Sequence, residues 1–216
     1  MKNLFSVQGK VAVVTGGSRG IGAMIARGLV ENGVKTYITA RKEEELNTTA
    51  KALSEFGECI AITSDLSTMG GIKQFADELS SREKEIHILV NNAGATWGAE
   101  IDDFPEDGWD KVMDLNVKSL FFLTQQLLPA MRAAGNAEDP ARVINIGSIN
   151  GFTNPKANNY SYSASKAAVH HLTRHLGAEL IRQHVNVNGI APGFFPSKMT
   201  AHLLPYEAEM AAQIPA

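Results

Sequence analysis

The stretch Lys10-Val-Ala-Val-Val-Thr15-Gly16-Gly-Ser-Arg-Gly20-Ile-Gly22 decides the fold of this chain of 216 residues. Residues 10–15 are mostly apolar and β-branched, a pattern that predicts a buried strand. Apolar residues then recur at helical spacing, and the helix that they predict ends at Asn32-Gly33. A strand, a glycine-rich turn and a helix in direct succession are typical of the first unit of a doubly wound α/β fold.

The turn between that strand and that helix is suited to binding phosphate. Backbone N–H groups and a helix N-terminus converge there, and both favour a diphosphate. The spacing is Gly-x-x-x-Gly-x-Gly, which differs from the Gly-x-Gly-x-x-Gly of the general dinucleotide fingerprint. Taken alone, the turn is either a nucleotide-binding loop or a structural tight turn.

Strand-like and helix-like segments alternate through the rest of the chain. Strands are predicted at 10–15, 35–40, 59–63, 86–92, 141–147 and 185–191. Helices are predicted at 20–31, 42–55, 69–81, 109–134 and 160–181. Continuous apolar runs in several of the strands indicate burial on both faces. We therefore expect an α/β fold with one domain over 1–216, a Rossmann-like doubly wound parallel sheet flanked by helices on both faces.

Composition excludes several classes of protein. The net charge is −3 and the pI is about 6.1, without a basic stripe, so no nucleic-acid partner is expected. No apolar run approaches the roughly 18 residues that span a membrane, and residues 1–5 lack the apolar core of a leader peptide. The single cysteine, Cys59, lies in an apolar run. We expect it to be buried rather than reactive, and a cytoplasmic location fits.

Polar and small residues follow several of the predicted strands directly. They are Asp65, the run Asn91-Asn-Ala-Gly94, Ser148 and Pro192-Gly193. In a doubly wound sheet, ligands bind outside the carboxyl ends of the strands, where the strand order reverses. We therefore expect these residues to share one site.

Tyr162 and Lys166 are four residues apart on a predicted helix, which places them on one face, one turn apart. A tyrosine has a pKa of about 10, and a neighbouring lysine cation lowers it. Such a phenol could give a proton to a carbonyl. A solvated helix face is the alternative interpretation of the pair. Tyr160 is a rival to Tyr162, but it is six residues from Lys166 and should point elsewhere.

Together these motifs resemble those of the short-chain dehydrogenase/reductases, along essentially the whole chain. The resemblance is carried by Thr15-Gly-x-x-x-Gly-x-Gly22, Asp65-Leu66, Asn91-Asn-Ala-Gly94, Asn116, Ser148, Tyr162-x-x-x-Lys166 and Pro192-Gly193. Within the family, the stretches 140–148 and 191–200 are most similar to the NADPH-dependent 3-oxoacyl-thioester (3-oxoacyl-acyl-carrier-protein) reductases, including the rhamnolipid-synthesis type. The resemblance implies an NADP-dependent oxidoreductase with a cofactor half at about 1–95 and a catalytic and substrate half at about 96–216.

The resemblance also implies a role for each of four catalytic residues. Tyr162 would protonate the carbonyl oxygen, and Lys166 would lower the pKa of that tyrosine and bind the nicotinamide ribose. Ser148 would hold the substrate oxygen. Asn116 would hold a water that links Lys166 to solvent. From the residues alone, Ser148 could instead be a turn hydroxyl, and Asn116 a local cap or kink.

Two cations favour NADP(H) over NAD(H). The second predicted strand ends at Arg41, where NAD-selecting sheets carry a carboxylate, and Arg19 lies in the glycine turn. Two guanidinium groups suit a 2′-phosphate, although Arg41 could instead pair with Glu43, Glu44 or Glu45. The predicted cofactor-binding residues are Gly16, Ser18, Arg19, Gly20, Ile21, Gly22, Arg41, Asp65, Leu66, Asn92, Ala93, Gly94, Tyr162, Lys166, Pro192, Gly193 and Ser197.

Two departures from the family pattern stand out. Ser148 and Tyr162 are 14 positions apart, one more than is common in the family, and we place the extra residue in the loop 150–159. The family pattern also continues with one more helix and a seventh strand. We therefore expect the C-terminal strand to be missing from this chain.

The substrate is the least constrained feature. Trp97, Phe152, Phe194 and Phe195 lie near predicted strand ends and either line an apolar pocket or pack ordinarily. The amphipathic segment 196–216 is expected to form a lid. We expect reduction of a 3-oxoacyl thioester. The alternatives are an NAD(P)-dependent reductase or dehydrogenase that acts on a polyol, sugar acid or other small ketone, and a non-catalytic NADP(H)-binding sensor or scaffold.

Helices 109–134 and 160–181 carry apolar residues on more than one face, which favours burial against a second subunit. The resemblance implies a homodimer or homotetramer built on those helices. No catalytic metal is expected, because a pair such as His171 and His175 on one helix face is more often a surface feature than a ligand set.

Overall fold

The computed structural model describes residues 5–155 and 157–195, and within them six strands form one sheet. The strands are β1 (Val11–Thr15), β2 (Lys35–Ala40), β3 (Cys59–Thr63), β4 (Ile88–Asn91), β5 (Ala141–Ile146) and β6 (Val185–Ile190). Their order is β3-β2-β1-β4-β5-β6, and every neighbouring pair is parallel. The predicted doubly wound sheet is confirmed. Its order reverses between β1 and β4, the place where such folds bind ligands.

Six α-helices are present in the described part of the chain. They are α1 (Gly20–Glu31), α2 (Glu43–Leu53), α3 (Met69–Arg82), α4 (Glu106–Met113), α5 (Ser119–Ala134) and α6 (Tyr160–Leu180). The predicted helix 109–134 is wrong in detail: α4 begins earlier, and a π-helical turn at Asp114–Lys118 joins it to α5. A π turn changes the hydrogen-bond register locally. A run of apolar residues at three- and four-residue spacing does not reveal it.

Buried apolar side chains lie on both faces of the sheet, because successive residues of a strand point to opposite sides. On one face, Val13 belongs to the same cluster as Phe75 of α3 and Leu127 of α5. On the other face, Val14 is clustered with Leu46 of α2 and with residues of α1. The helices therefore cover both faces, as predicted. The polar residues of the site lie beyond this core, at the ends of the strands.

Cys59 is buried in β3, and burial raises the pKa of its thiol to about 11, which fits packing rather than reactivity. None of the helices in the described ranges is long and apolar enough to cross a membrane. The predicted lid at 196–216, and Ser197 within it, lie outside the described residues.

Candidate active site

A cavity of about 500 Å³ lies at the carboxyl ends of the strands, beside the reversal of strand order. Residues from the glycine-rich turn, from the ends of β2, β4 and β5, and from α6 line it. Of the predicted site residues, those that line it are Gly16, Ser18, Arg19, Gly20, Ile21, Gly22, Arg41, Leu66, Asn92, Ala93, Gly94, Ser148, Tyr162, Lys166, Pro192 and Gly193. The expectation of one shared cavity therefore agrees with the structure for these residues.

The glycine-rich turn contains positions where any side chain would clash with the backbone. Gly16 adopts a φ of 65°, in the left-handed region that favours glycine. A Cβ at Gly22 would lie 2.2 Å from the Gly16 carbonyl oxygen, so α1 can start this close to β1 only with glycine there. Asn92 holds the turn from the end of β4, since its side-chain amide donates to the Thr15 carbonyl over 2.8 Å. The Asn92 side chain thus supports the turn as well as lining the cavity.

The first turn of α1 fits an anion. Arg19 occupies the N-cap position of this helix without a side-chain hydrogen bond to the helix backbone, and the first turn contains no acidic residue. The orphan N–H groups and the positive end of the helix dipole thus face the cavity without a competing side-chain cap. These are the conditions that a diphosphate needs.

Three cations, Arg19, Arg41 and Lys42, line one end of this cavity, which we call the cationic end. Arg19 donates from one guanidinium nitrogen to both carboxylate oxygens of Glu45, over 3.1 and 3.2 Å. The Ser18 hydroxyl donates to the same carboxylate over 3.2 Å. The alternative role predicted for Arg41 is pairing with a glutamate of α2. In the structure Arg19 pairs with Glu45 instead, because Glu45 faces the glycine-rich turn.

Tyr162 and Lys166 lie on one face of α6, inside the cavity. The Ser148 hydroxyl is within hydrogen-bonding reach of the Tyr162 phenol. The Lys166 ammonium lies 5.6 Å from the centre of the Tyr162 ring. Tyr160 has 37% of its surface exposed, and its hydroxyl is directed toward Asn158. The geometry therefore separates the two tyrosines as the spacing to Lys166 predicts.

The pKa values differ from the expectation that Lys166 lowers the pKa of Tyr162. Burial raises the pKa of Tyr162, and the hydrogen bond with Ser148 opposes that rise only in part. Lys166 is 5% exposed and donates to the Ile146 carbonyl over 2.8 Å, and burial lowers its own pKa to about 8. Desolvation by burial sets the direction of the pKa shift of Tyr162 here. The phenol is consequently neutral at pH 7 and carries the proton that an acid needs.

Asn116 occupies the π-helical turn between α4 and α5 and is buried. Its side-chain oxygen accepts from the Ala95 N–H over 2.8 Å, and its amide donates to the Ala95 carbonyl and to the Ser165 hydroxyl over 3.0 and 2.9 Å. Both amide hydrogens are thus committed within the protein. The family resemblance implies that Asn116 holds a water. In the structure its side chain instead links the loop after β4 to α6, and Asn116 does not line the cavity.

Asp65 is turned toward its own loop. One of its carboxylate oxygens accepts from the Ser67 N–H over 3.0 Å and from the Ser67 hydroxyl over 2.7 Å. Leu66 lines the cavity, whereas Asp65 does not. Of this pair of predicted cofactor-binding residues, Leu66 is therefore the one placed to contact a cofactor in the cavity.

The predicted aromatic residues divide between cavity and surface. Phe195 lines the cavity. Trp97 packs against Gly108, and the Lys111 ammonium lies 4.9 Å from the Trp97 ring centre. Phe152 is 65% exposed and stacks on His170. Of the two alternatives, Phe195 therefore fits the lining of a pocket, whereas Trp97 and Phe152 fit packing outside it.

Sequence reasoning missed several residues that line the cavity. They are Thr39, Ala40, Lys42, Glu45, Ser64, Ala95, Thr96, Lys111, Leu115, Ile146 and Gly147. Several adjoin strand ends, so the argument from strand ends could have found them. Lys111 and Leu115 reach the cavity through the packing of α4 and its π turn, for which the sequence carries no local signal.

Among the described residues, no group of three or more histidine, cysteine, aspartate or glutamate side chains is placed to hold a metal ion. His171 is exposed and its Nδ1 lies 3.4 Å from a guanidinium nitrogen of Arg174.

Comparisons with known proteins agree with this geometry. The sequence model of the short chain dehydrogenase family matches residues 10–208. The rhamnolipids biosynthesis 3-oxoacyl-[acyl-carrier-protein] reductase of Pseudomonas aeruginosa is 51% identical over 203 residues, which cover 94% of this chain and 79% of that protein. The 2-dehydro-3-deoxy-D-gluconate 5-dehydrogenase of Escherichia coli is 37% identical over 216 residues, covering 98% of this chain and 83% of that protein.

A solved structure of a relative is also closely similar. The Pseudomonas aeruginosa RhlG/NADP active-site complex superposes with a TM-score of 0.91 at 51% sequence identity. The match covers 95% of this chain and 80% of that one.

Proposed function

This chain belongs to the short-chain dehydrogenase family, and on that basis we propose that it reduces the 3-oxo group of a 3-oxoacyl thioester with NADPH. The observation that carries the proposal is the arrangement of Ser148, Tyr162 and Lys166 around one cavity that also receives the N-terminus of α1. The products are the 3-hydroxyacyl thioester and NADP⁺.

The residues present fit this cofactor. The first turn of α1, with no side-chain cap and no acidic residue, would hold the diphosphate. The cationic end would hold the 2′-phosphate, because Arg41 and Lys42 follow β2 where an NAD-selecting protein has a carboxylate. Lys166, Pro192 and Gly193 would contact the nicotinamide end. When bound, NADPH supplies the hydride that the carbonyl carbon receives.

The chain's own residues supply the proton and hold the substrate. The neutral phenol of Tyr162 gives its proton to the carbonyl oxygen as negative charge develops there. The Ser148 hydroxyl donates a hydrogen bond to the same oxygen. The Lys166 cation lies beside the ring and stabilises the phenolate that remains. Asn116 keeps the loop after β4 in contact with α6 by its three hydrogen bonds.

The acyl thioester is the favoured substrate for two reasons. The relative named for 3-oxoacyl reduction is 51% identical to this chain, against 37% for the relative that acts on a deoxygluconate. The apolar side chains of Leu115 and Phe195 also line the cavity. These can contact an acyl chain, whereas a sugar acid would need more polar partners.

Two further features belong to the proposal. A homodimer or homotetramer would form on α5 and α6, where Phe121 and Phe122 of α5 are only partly buried within the chain. The enzyme would act in the cytoplasm.

The proposal is tested by steady-state turnover of two substrates by the purified protein. NADPH oxidation is followed with a 3-oxoacyl thioester, and NADP⁺ reduction is followed with 2-dehydro-3-deoxygluconate, which a 5-dehydrogenase oxidises at a hydroxyl. Both assays are then repeated with NADH and NAD⁺. We expect kcat/KM to be highest for the thioester with NADPH. A higher kcat/KM for the gluconate derivative would overturn the substrate assignment. Equal rates with NADH would overturn the cofactor assignment.

A non-catalytic NADP(H)-binding protein is the remaining alternative, and the same assay distinguishes it. Such a protein would bind NADPH, as shown by a rise in melting temperature, but would turn over neither substrate.

A further inference from the structure

A buried histidine lies directly behind the proposed active-site serine. His170 of α6 is 8% exposed. It follows Tyr162 by eight residues and Lys166 by four, so the three side chains lie along one face of the helix. The proposed chemistry uses the first two and gives His170 no part.

The imidazole of His170 contacts the backbone of Ser148. Its Nε2 lies 2.9 Å from the Ser148 carbonyl oxygen and 3.5 Å from the Ser148 nitrogen. The shorter distance places the hydrogen on Nε2, which donates to the carbonyl. Because Ser148 is itself buried and its hydroxyl faces Tyr162, this bond fixes the backbone of the residue that would hold the substrate oxygen.

The segment 147–152 is shaped around the imidazole ring. A Cβ at Gly147 would lie 2.2 Å from Cε1 of His170, and a Cβ at Gly151 would lie 2.6 Å from its Cδ2. The Phe152 ring stacks on the imidazole with 3.9 Å between centroids and an interplanar angle of 19°. Two glycines and one aromatic ring therefore enclose His170. Neither glycine position has room for a side chain while the ring is there.

We propose that His170 is a positioning residue that sets the place of the Ser148 hydroxyl relative to Tyr162. This inference rests on the proposed function, since it assigns to His170 a part in the same carbonyl reduction. The helix that supplies the proton donor also supplies the group that holds the second hydroxyl in register. His170 acts through Ser148 and does not line the cavity.

The test compares His170→Asn with His170→Gln, because their side-chain amides extend to different distances from the helix. Gln places an N–H near the position of Nε2, whereas the shorter Asn places one near Nδ1. We expect His170→Asn to lower kcat by about 10- to 100-fold, the scale on which small misplacements act. His170→Gln should retain kcat within about threefold of the native enzyme, since it can still donate to the carbonyl. His171→Asn, an exposed neighbour on the same helix, is the matched control and should be unaffected.

A second comparison separates positioning from a general loss of structure. In a Ser148→Ala background, His170→Asn should cost less than about twofold further, because the hydroxyl it positions is gone. The dissociation constant for NADPH should stay within about twofold in every variant. Equal losses for Asn and Gln, or a full additional loss in the Ser148→Ala background, would overturn the positioning role.

Amide hydrogen exchange of the segment 147–152 needs no substrate. It therefore tests the contact between His170 and Ser148 even if the substrate assignment fails. We expect faster exchange there in His170→Asn than in His170→Gln, with exchange in β1 unchanged. Identical protection of that segment in the two variants would overturn the contact that the proposal requires. Absence of thioester reduction by the native protein would instead overturn the proposed function alone.

Discussion

Arg19 and Glu45 form an ion pair at the cationic end of the cavity, with 3.1 Å between the guanidinium nitrogen and the nearer carboxylate oxygen. The Ser18 hydroxyl donates to the same carboxylate. Arg19 is a residue that we expect to bind the 2′-phosphate, so Glu45 and the phosphate are competing partners for one guanidinium group. We therefore expect NADPH binding to draw Arg19 away from Glu45.

We predict that Glu45→Gln tightens NADPH binding. An exposed ion pair is worth about 0.2–1 kcal/mol, so its removal should lower the dissociation constant by about 1.4- to 5-fold. NADH binding, which involves no 2′-phosphate, should stay nearly unchanged. Fluorescence titration of both cofactors measures this, with Glu44→Gln as the control for an equal change of charge on the same helix turn. Weaker NADPH binding in Glu45→Gln would show that Glu45 orients Arg19 rather than competing for it.

Arg41 should contribute directly to NADPH affinity. We predict that Arg41→Ala raises the dissociation constant for NADPH about tenfold, the lower end of the roughly 1.5–3 kcal/mol of a hydrogen bond to a charged group. NADH affinity should change by less than about twofold. The matched control is Arg27→Ala, since Arg27 pairs with Glu31 and lies outside the cavity lining. Parallel losses of NADPH and NADH affinity would argue against a contact with the phosphate.

Two glycines of α1 offer a matched pair for the close approach of helix and strand. At Gly22 a Cβ would meet the Gly16 backbone, whereas at Gly28 no heavy atom lies within 4 Å. We predict that Gly22→Ala lowers the melting temperature and abolishes NADPH binding. Gly28→Ala should instead stabilise the fold by roughly 0.5–1 kcal/mol, since alanine favours the helix. Thermal unfolding with and without NADPH measures both. A Gly22→Ala variant with native cofactor affinity would contradict the geometry of the turn.

The pH dependence of reduction should report Lys166. Its pKa of about 8 means that the cation is present below pH 8 and is lost as the pH rises through that value. The pKa of Tyr162 is raised, so the phenol keeps its proton over the same range. We predict that kcat/KM for reduction falls above about pH 8. In Lys166→Arg the fall should move to higher pH, because a guanidinium stays charged. A flat profile between pH 7 and 10 would contradict the role of the cation.

The lowered pKa of Lys166 also makes the free energy of unfolding depend on pH. The folded pKa of about 8 lies below the reference value of 10.5, so between these pH values the unfolded state binds more protons than the folded state. The contribution of this group to the free energy of unfolding therefore rises with pH across that window. The difference in free energy of unfolding between the native protein and Lys166→Met, measured at each pH, isolates the contribution of Lys166.

Much of the fold was predictable because its signals are local. Continuous apolar runs identify strands that are buried on both faces, and β1 to β3 begin and end within one residue of their predicted bounds. The π turn at Asp114–Lys118 was not predictable, since its neighbours share one helical pattern of apolar residues. Which helix covers which face depends on the strand order, which periodicity does not encode.

The site was predictable where residues adjoin strand ends, and less so where side chains find partners. Arg41 and Ser148 line the cavity as their positions imply. The pairing of Arg19 with Glu45 depends on the approach of α2 to the glycine-rich turn, and sequence spacing does not fix that approach. The raised pKa of Tyr162 depends on its burial, which the packing of α6 determines and the local sequence does not.

The most direct test of the account is the NADPH-dependent reduction of a 3-oxoacyl thioester by Tyr162→Phe, with Tyr160→Phe as the matched control. The account predicts that Tyr162→Phe lowers kcat by about 10²- to 10⁴-fold, the range for loss of a general acid, with unchanged NADPH affinity. Tyr160→Phe should retain native kcat, because that phenol is directed away from Lys166. Native turnover in Tyr162→Phe, or an equal loss in Tyr160→Phe, would contradict the central claim that Tyr162 delivers the proton.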